Sequence, residues 1–108
     1  MSFDARLTVI GKHVGYDRED ITIDDTIGGV GLTVSILATT PRPKRVFITA
    51  EGGQMRYTYD GTAPTTTLGH ILNPVVNTLM IEGIKNMENF KAIKTGASDG
   101  ELVVTYER

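Results

Sequence analysis

The chain has 108 residues, of which 40% are hydrophobic and 22% charged, a balance that fits one small globular domain and excludes a disordered chain. A formal net charge of -2 leaves no electrostatic footprint for nucleic acid, and the absence of Cys removes disulfides, thiolate zinc sites and thiol catalysis together. No apolar run approaches the roughly 20 residues of a membrane-spanning helix. The start Met1-Ser2-Phe3-Asp4-Ala5-Arg6 lacks the charged lead and apolar stretch of a signal peptide, so synthesis in a cytoplasm without export by that route is expected.

Taken in chain order, Phe3, Ala5, Leu7 and Val9 alternate with Asp4, Arg6 and Thr8, the period of a half-buried strand. A turn follows around His13 between Gly11 and Gly15, then a charged loop over Asp17–Asp20. Ile21 and Ile23 mark a short strand. Gly28, Gly29 and Gly31 form a bulge or tight crossing that leads into a strand with Val30, Leu32, Val34, Ile36 and Ala38 on one face. Thr39, Thr40, Pro41, Arg42, Pro43 and Lys44 read as an extended connection, because each proline lacks a donor and restrains its predecessor.

Val46–Ala50 and Met55–Tyr59 flank Glu51-Gly52-Gly53-Gln54, and Gly-Gly suits a two-residue primed turn. That hairpin sets Ala50 opposite Met55, Ile48 opposite Tyr57 and Val46 opposite Tyr59, all on one face. On the other face it sets Arg45 opposite Asp60, an opposite-charge cross-strand pair. Asp60, Gly61, Thr62 and Pro64 form a compact turn in which Asp bonds downstream backbone, Gly takes a left-handed conformation and Pro fixes φ. Ile71 and Leu72 are expected in the core. Leu79 and Ile81 lie on another strand, and Gly83–Asn89 forms one helical turn from the three-residue spacing of Ile84, Met87 and Phe90. Phe90–Lys94 and Leu102–Tyr106 are the last strands, joined by the polar stretch Gly96–Gly100, with Leu102, Val104 and Tyr106 facing one way. With 15 Thr and 12 Gly, the pattern predicts an all-β domain over 1–108: a β-sandwich or barrel of about eight short antiparallel strands.

Chemistry is sparse. His13 and His70 lie beside glycines at no metal-ligand spacing and read as surface loop residues. Neither Ser35 nor Ser98 sits in a nucleophile elbow. Asp17, Glu19, Asp20, Asp24 and Asp25 are acidic but lack the glycine and terminal glutamate of a calcium loop. Gly28-Gly29-Val30-Gly31 precedes what reads as a strand, whereas a phosphate cradle needs a helix there. Lys85, Lys91 and Lys94 are balanced by Glu82, Glu88 and Glu101. Tyr57 and Tyr59 fall on the core face of the hairpin register; exposed tyrosines beside an acidic groove would instead favour glycan binding. The expectation is no enzymatic activity, no cofactor and no metal.

The run Met55-Arg56-Tyr57-Thr58-Tyr59-Asp60-Gly61-Thr62-Ala63-Pro64-Thr65, followed by Gly69-His70, resembles a family of small virion proteins encoded among tailed-bacteriophage structural genes. The resemblance continues through Gly28–Thr33, Phe47–Glu51, Asn89–Ile93, Thr95–Ala97 and Leu102–Tyr106. It covers most of 27–108, while residues 1–26 match less clearly. The Tyr-Thr-x-Asp-Gly-Thr-x-Pro-Thr segment also resembles a short strand-turn motif of β-sandwich modules beside chitobiases. The phage resemblance implies a structural, non-enzymatic virion component, foremost a head decoration or cement protein that binds the phage major capsid protein or other virion proteins as a homo-oligomer. A head-to-tail connector, a tail or fibre-attachment component, and a glycan-binding module remain open. It supplies no catalytic residues; Gly52, Gly53, Asp60, Gly61, Thr62 and Pro64 are structural turn positions. Met1, Ser2, Phe3, Asp4, Ala5 and Arg6, with Thr39–Lys44, are the candidate partner contacts.

Overall fold

The computed structural model describes residues 13–108, so the Phe3–Val9 strand and the Met1–Arg6 contact segment lie outside the described residues. In chain order the elements are β1 Gly15–Ile23, β2 Val30–Gly31, α1 Val34–Ala38, β3 Arg45–Gly52, β4 Met55–Thr58, β5 His70–Leu72, β6 Thr78–Glu82, α2 Ile84–Asn89, β7 Lys91–Lys94 and β8 Gly100–Glu107. They build two four-stranded antiparallel sheets, ordered β1-β8-β3-β6 and β2-β7-β4-β5, that do not close into a barrel. The domain is all-β, as its alternating sequence predicts.

One core lies between the sheets. Val46, Ile48 and Ala50 of β3 and Leu102, Val104 and Tyr106 of β8 meet Met55 of β4, Leu72 of β5 and Ala92 of β7 there. Met87 and Phe90 close it beside α2. The inward set on β3, β4 and β8 is the one that period-two alternation selects.

The β3–β4 hairpin does not form. Each strand has two edges; those of β3 are taken by β6 and β8, and those of β4 by β5 and β7. Gly52-Gly53 is a corner at which the chain leaves one sheet for the other. Gly52 has φ 82°, and Gly53 N–H donates to Asp99 O at 2.9 Å. Arg45 therefore pairs not with Asp60 but with strands on both sides, Glu107 at 2.5 Å and Glu82 at 3.7 Å. The β7–β8 connection turns the same corner beside it. It is held by Lys94 Nζ on Asp99 Oδ1 at 2.8 Å, and Thr95 N–H donates to Gln54 O at 3.1 Å.

Two further expectations change. Asp17–Asp20 is not a loop but part of β1, paired with Val103–Tyr106 of β8. Arg18 and Asp20 point outward and pair with each other at 3.6 Å, while Glu19 turns inward. The strand expected through Leu32–Ile36 ends at Gly31, and α1 follows. Glu19 anchors the residue before the helix: its carboxylate accepts from Thr33 N–H at 3.2 Å and Thr33 Oγ1–H at 2.5 Å. It also accepts from the Tyr106 hydroxyl. Leu37 is then the buried residue of α1 and Val34 is exposed, the reverse of a strand face through Val34. A helix, not the expected strand, follows the Gly28–Gly31 run, but it is only five residues long and Glu19 already occupies the residue that caps it. Gly29 and Gly31 instead serve a tight crossing, since an added Cβ would lie 2.9 Å from Lys91 Cβ or 3.0 Å from Phe90 O.

Candidate functional site

β4 alternates Met55 and Tyr57 toward the core, and the chain carries the same direction on to Tyr59 just beyond the strand. β5 sets His70 directly opposite Tyr57. His70 is thus a strand residue rather than a loop residue. The Tyr57 ring lies 5.9 Å from buried Phe90 and 5.2 Å from His70. Tyr59 stacks with Tyr57 at 6.5 Å and 21° and with His70 at 6.0 Å and 25°. These separations are those of offset aromatic pairs. The rings lead from the core to the surface: Phe90 is buried, Tyr57 half-buried and Tyr59 44% exposed. The hairpin register placed both tyrosines in the core, and the structure corrects that for Tyr59, because the ladder of β4 ends at Thr58.

Two grooves meet at Tyr59. One, of about 540 Å³, runs along Thr58, Asp60, Thr62, Leu68 and His70. The other, of about 310 Å³, lies between the sheets, with Tyr57 and Tyr59 on one wall and Leu79, Ile81 and Glu82 of β6 with Asn86 of α2 on the other. Both volumes fall in the range of small-ligand sites. Among the described residues neither groove is lined by Lys or Arg, and each holds one carboxylate.

The walls are held locally. Asp60 Oδ1 accepts from Thr62 N–H at 3.0 Å, Thr58 Oγ1 donates to Thr62 O at 2.5 Å, and Gly61 takes φ 89°. Pro64 is buried beneath that turn. Arg56 points away from the core and ties Thr66–Gly69 to β4, donating from Nη1 to Gly69 O at 2.8 Å and from Nε to Thr66 O at 3.3 Å. Asn86 Nδ2 donates to Glu82 O at 2.9 Å and anchors the far wall. Burial, and then the neighbouring Tyr59, push the Tyr57 phenol above its ordinary value.

Of the turn positions singled out in the sequence, Asp60 and Thr62 line a groove, Gly61 and Pro64 shape it, and Gly52 and Gly53 lie apart at the corner. Thr39, Thr40, Pro41, Arg42 and Lys44 are exposed and Pro43 is buried; Arg108 Nη1 donates to Pro41 O at 3.2 Å. His70, which reads from the sequence as a surface loop residue, and Glu82 and Asn86, which carry no sequence signal as site residues, are brought to Tyr59 only by the meeting of β5, β6 and α2 with β4. Among the described residues no group of three or more His, Cys, Asp or Glu side chains is set to hold a metal ion.

A second surface stands out. Between β5 and β6, Asn73 and Asn77 bracket a turn: Asn73 N–H donates to Asn77 Oδ1 at 2.7 Å and Asn77 N–H to Asn73 O at 3.0 Å. Val75 has φ 69° and donates its N–H to Ala50 O at 2.8 Å. Val75 and Val76 are 85% and 77% exposed, and Ile71 just before them is exposed as well. Comparison with family models, curated proteins and solved structures matches the chain to none of them.

Proposed function

We propose that this chain is a non-enzymatic structural component of a tailed-bacteriophage particle, a head decoration protein that binds the assembled capsid and reinforces it in many copies. The apolar turn Val75-Val76 carries the reading. A β-branched residue in the left-handed region is strained, and such strain persists where the surroundings impose it and function uses it. Here it holds two apolar side chains outward, a surface suited to burial against another protein. The major capsid protein is the partner, and Thr39–Lys44 is a second contact candidate because most of it is exposed.

A standard interface takes roughly 800 Å² from each partner. The folded chain exposes 6166 Å², so a few such contacts use a large share of it. Association of identical copies multiplies weak contacts through effective concentration. Quantifying copies per purified particle tests the reading. Hundreds over the head support decoration, whereas about a dozen at one vertex sink it in favour of a connector. Val76→Asp is expected to leave the fold intact and abolish particle binding.

A further inference from the structure

From the groove geometry we propose a second property, independent of the virion reading: the Tyr57–Tyr59–His70 cleft is a binding site for an uncharged saccharide. Three observations narrow the ligand. The first is a stacked aromatic wall whose outer ring is open to solvent where two grooves meet. An aromatic face is electron-rich and attracts the weakly positive C–H groups on the flat face of a pyranose.

The second is the polar rim on both sides of that ring. Thr62, Asp60 and His70 flank it in one groove, and Glu82 and Asn86 in the other. Asp60 spends Oδ1 on its own turn, which leaves Oδ2 for a ligand hydroxyl; Asn86 spends Nδ2 on Glu82 O, which leaves its carbonyl oxygen. A sugar offers this combination, with an apolar face and a belt of hydroxyls around it.

The third is charge. Each groove holds a carboxylate and, among the described residues, neither is lined by Lys or Arg; Arg45 is paired with Glu82 and Glu107, so the cleft offers no spare cation to hold a phosphate-bearing ligand. A nucleic-acid strand would also stack on Tyr59, but it requires a cationic track for its backbone. The grooves meet at one ring, so the site fits an oligomer with one unit stacked on Tyr59 and its neighbours in the grooves.

The test is titration of the ¹⁵N-labelled full chain with cellotetraose, maltotetraose, mannotetraose and N-acetylchitotetraose, followed by amide shifts. At least one sugar is expected to move resonances of Thr58–Thr62, His70 and Glu82 while leaving Arg18, at the far edge of the β1-β8-β3-β6 sheet, and Gly52 unmoved. Tyr59→Ala is expected to weaken that binding about tenfold or more, the scale of one aromatic contact, and Tyr59→Phe to retain it. Because Tyr59 is exposed, the spectrum of Tyr59→Ala away from the cleft checks that the fold is intact. No shift with any of the four sugars overturns the proposal. So does sugar binding that Tyr59→Ala leaves unchanged, or a cleft that takes an extended peptide along β6 and no sugar.

Discussion

Gly52 faces Gly100 across the β3–β8 ladder, and each glycine stands where its strand meets a corner between the two sheets. Met55, the first residue of β4, pairs with Lys94, the last of β7, so the two corners stack. The close approach sets the residue types. An added Cβ at Gly53 would lie 2.3 Å from Ser98 O, and one at Gly100 would lie 2.3 Å from Met55 Sδ.

Gly53→Ala is expected to destabilise the fold by about 1–3 kcal/mol, the cost of forcing a methyl into packed structure. Its obstacle is backbone, which cannot rotate away. Gly100→Ala meets a flexible but fully buried methionine and is expected to cost less in a Met55→Ala background. Urea denaturation of Gly53→Ala, Gly100→Ala, Met55→Ala and the double variant Met55→Ala/Gly100→Ala measures both. An unchanged midpoint for Gly53→Ala would show that the stacked corners separate freely.

Gly61 gives a cleaner case of backbone preference. It has φ 89°, yet an added Cβ meets nothing within 4 Å. Gly61→Val should lower stability by about 1–3 kcal/mol through backbone strain alone. Thermal melting of Gly61→Val against wild type checks this, and equal melting temperatures would show that the turn does not depend on glycine.

Arg45 is the cation at the centre of three strands. Glu107 is a buried charged residue at 7% exposure, and Arg45 Nε is its close partner. Arg45→Met leaves that carboxylate buried without its charge partner and is expected to cost about 3 kcal/mol. Removing both, in Arg45→Met/Glu107→Leu, should recover most of the loss. A single-variant cost below about 1 kcal/mol would mark the pair as no stronger than a solvated surface pair.

The pH dependence has a definite sign at alkaline pH. Burial, and then the hydrogen bond to Glu19, hold the Tyr106 phenol well above the ordinary tyrosine value. Its stabilisation is fully present below the unfolded value of about 10 and is lost as pH rises beyond it, because the unfolded chain releases the proton first. The loss should run at about 1.4 kcal/mol per pH unit for this one group. Burial raises Tyr16 and Tyr57 in the same direction. Urea midpoints between pH 9 and 12 should fall, and Tyr106→Phe should have the shallower slope. Parallel slopes for the two proteins would show that the phenol titrates alike in both states.

The site was only partly legible. Tyr57 and Tyr59 stand two apart, so any strand puts them on one face, and the Asp60-Gly61 turn follows from side-chain and backbone preferences within four residues. The solvent exposure of Tyr59 was not legible, because it depends on where the β4 ladder stops. Nor were Glu82 and Asn86, which reach the cleft through a different sheet and a helix.

Local alternation was enough to determine the class of the fold and the inward faces of β3, β4 and β8, since a strand has only two faces and burial selects one of them. It could not decide which strands touch. A hairpin and a corner both require glycine, and both send Val46, Ile48, Ala50 and Met55 into the core. Only the tertiary structure chose the corner, because β6 and β8 already satisfy the hydrogen-bonding groups on both edges of β3. Likewise Leu32–Ile36 reads as a strand by composition, whereas the helix Val34–Ala38 forms there, its N-cap Thr33 held by a carboxylate fourteen residues upstream. Face preference is a property of neighbouring residues, whereas pairing is a competition among distant ones for a limited number of backbone partners.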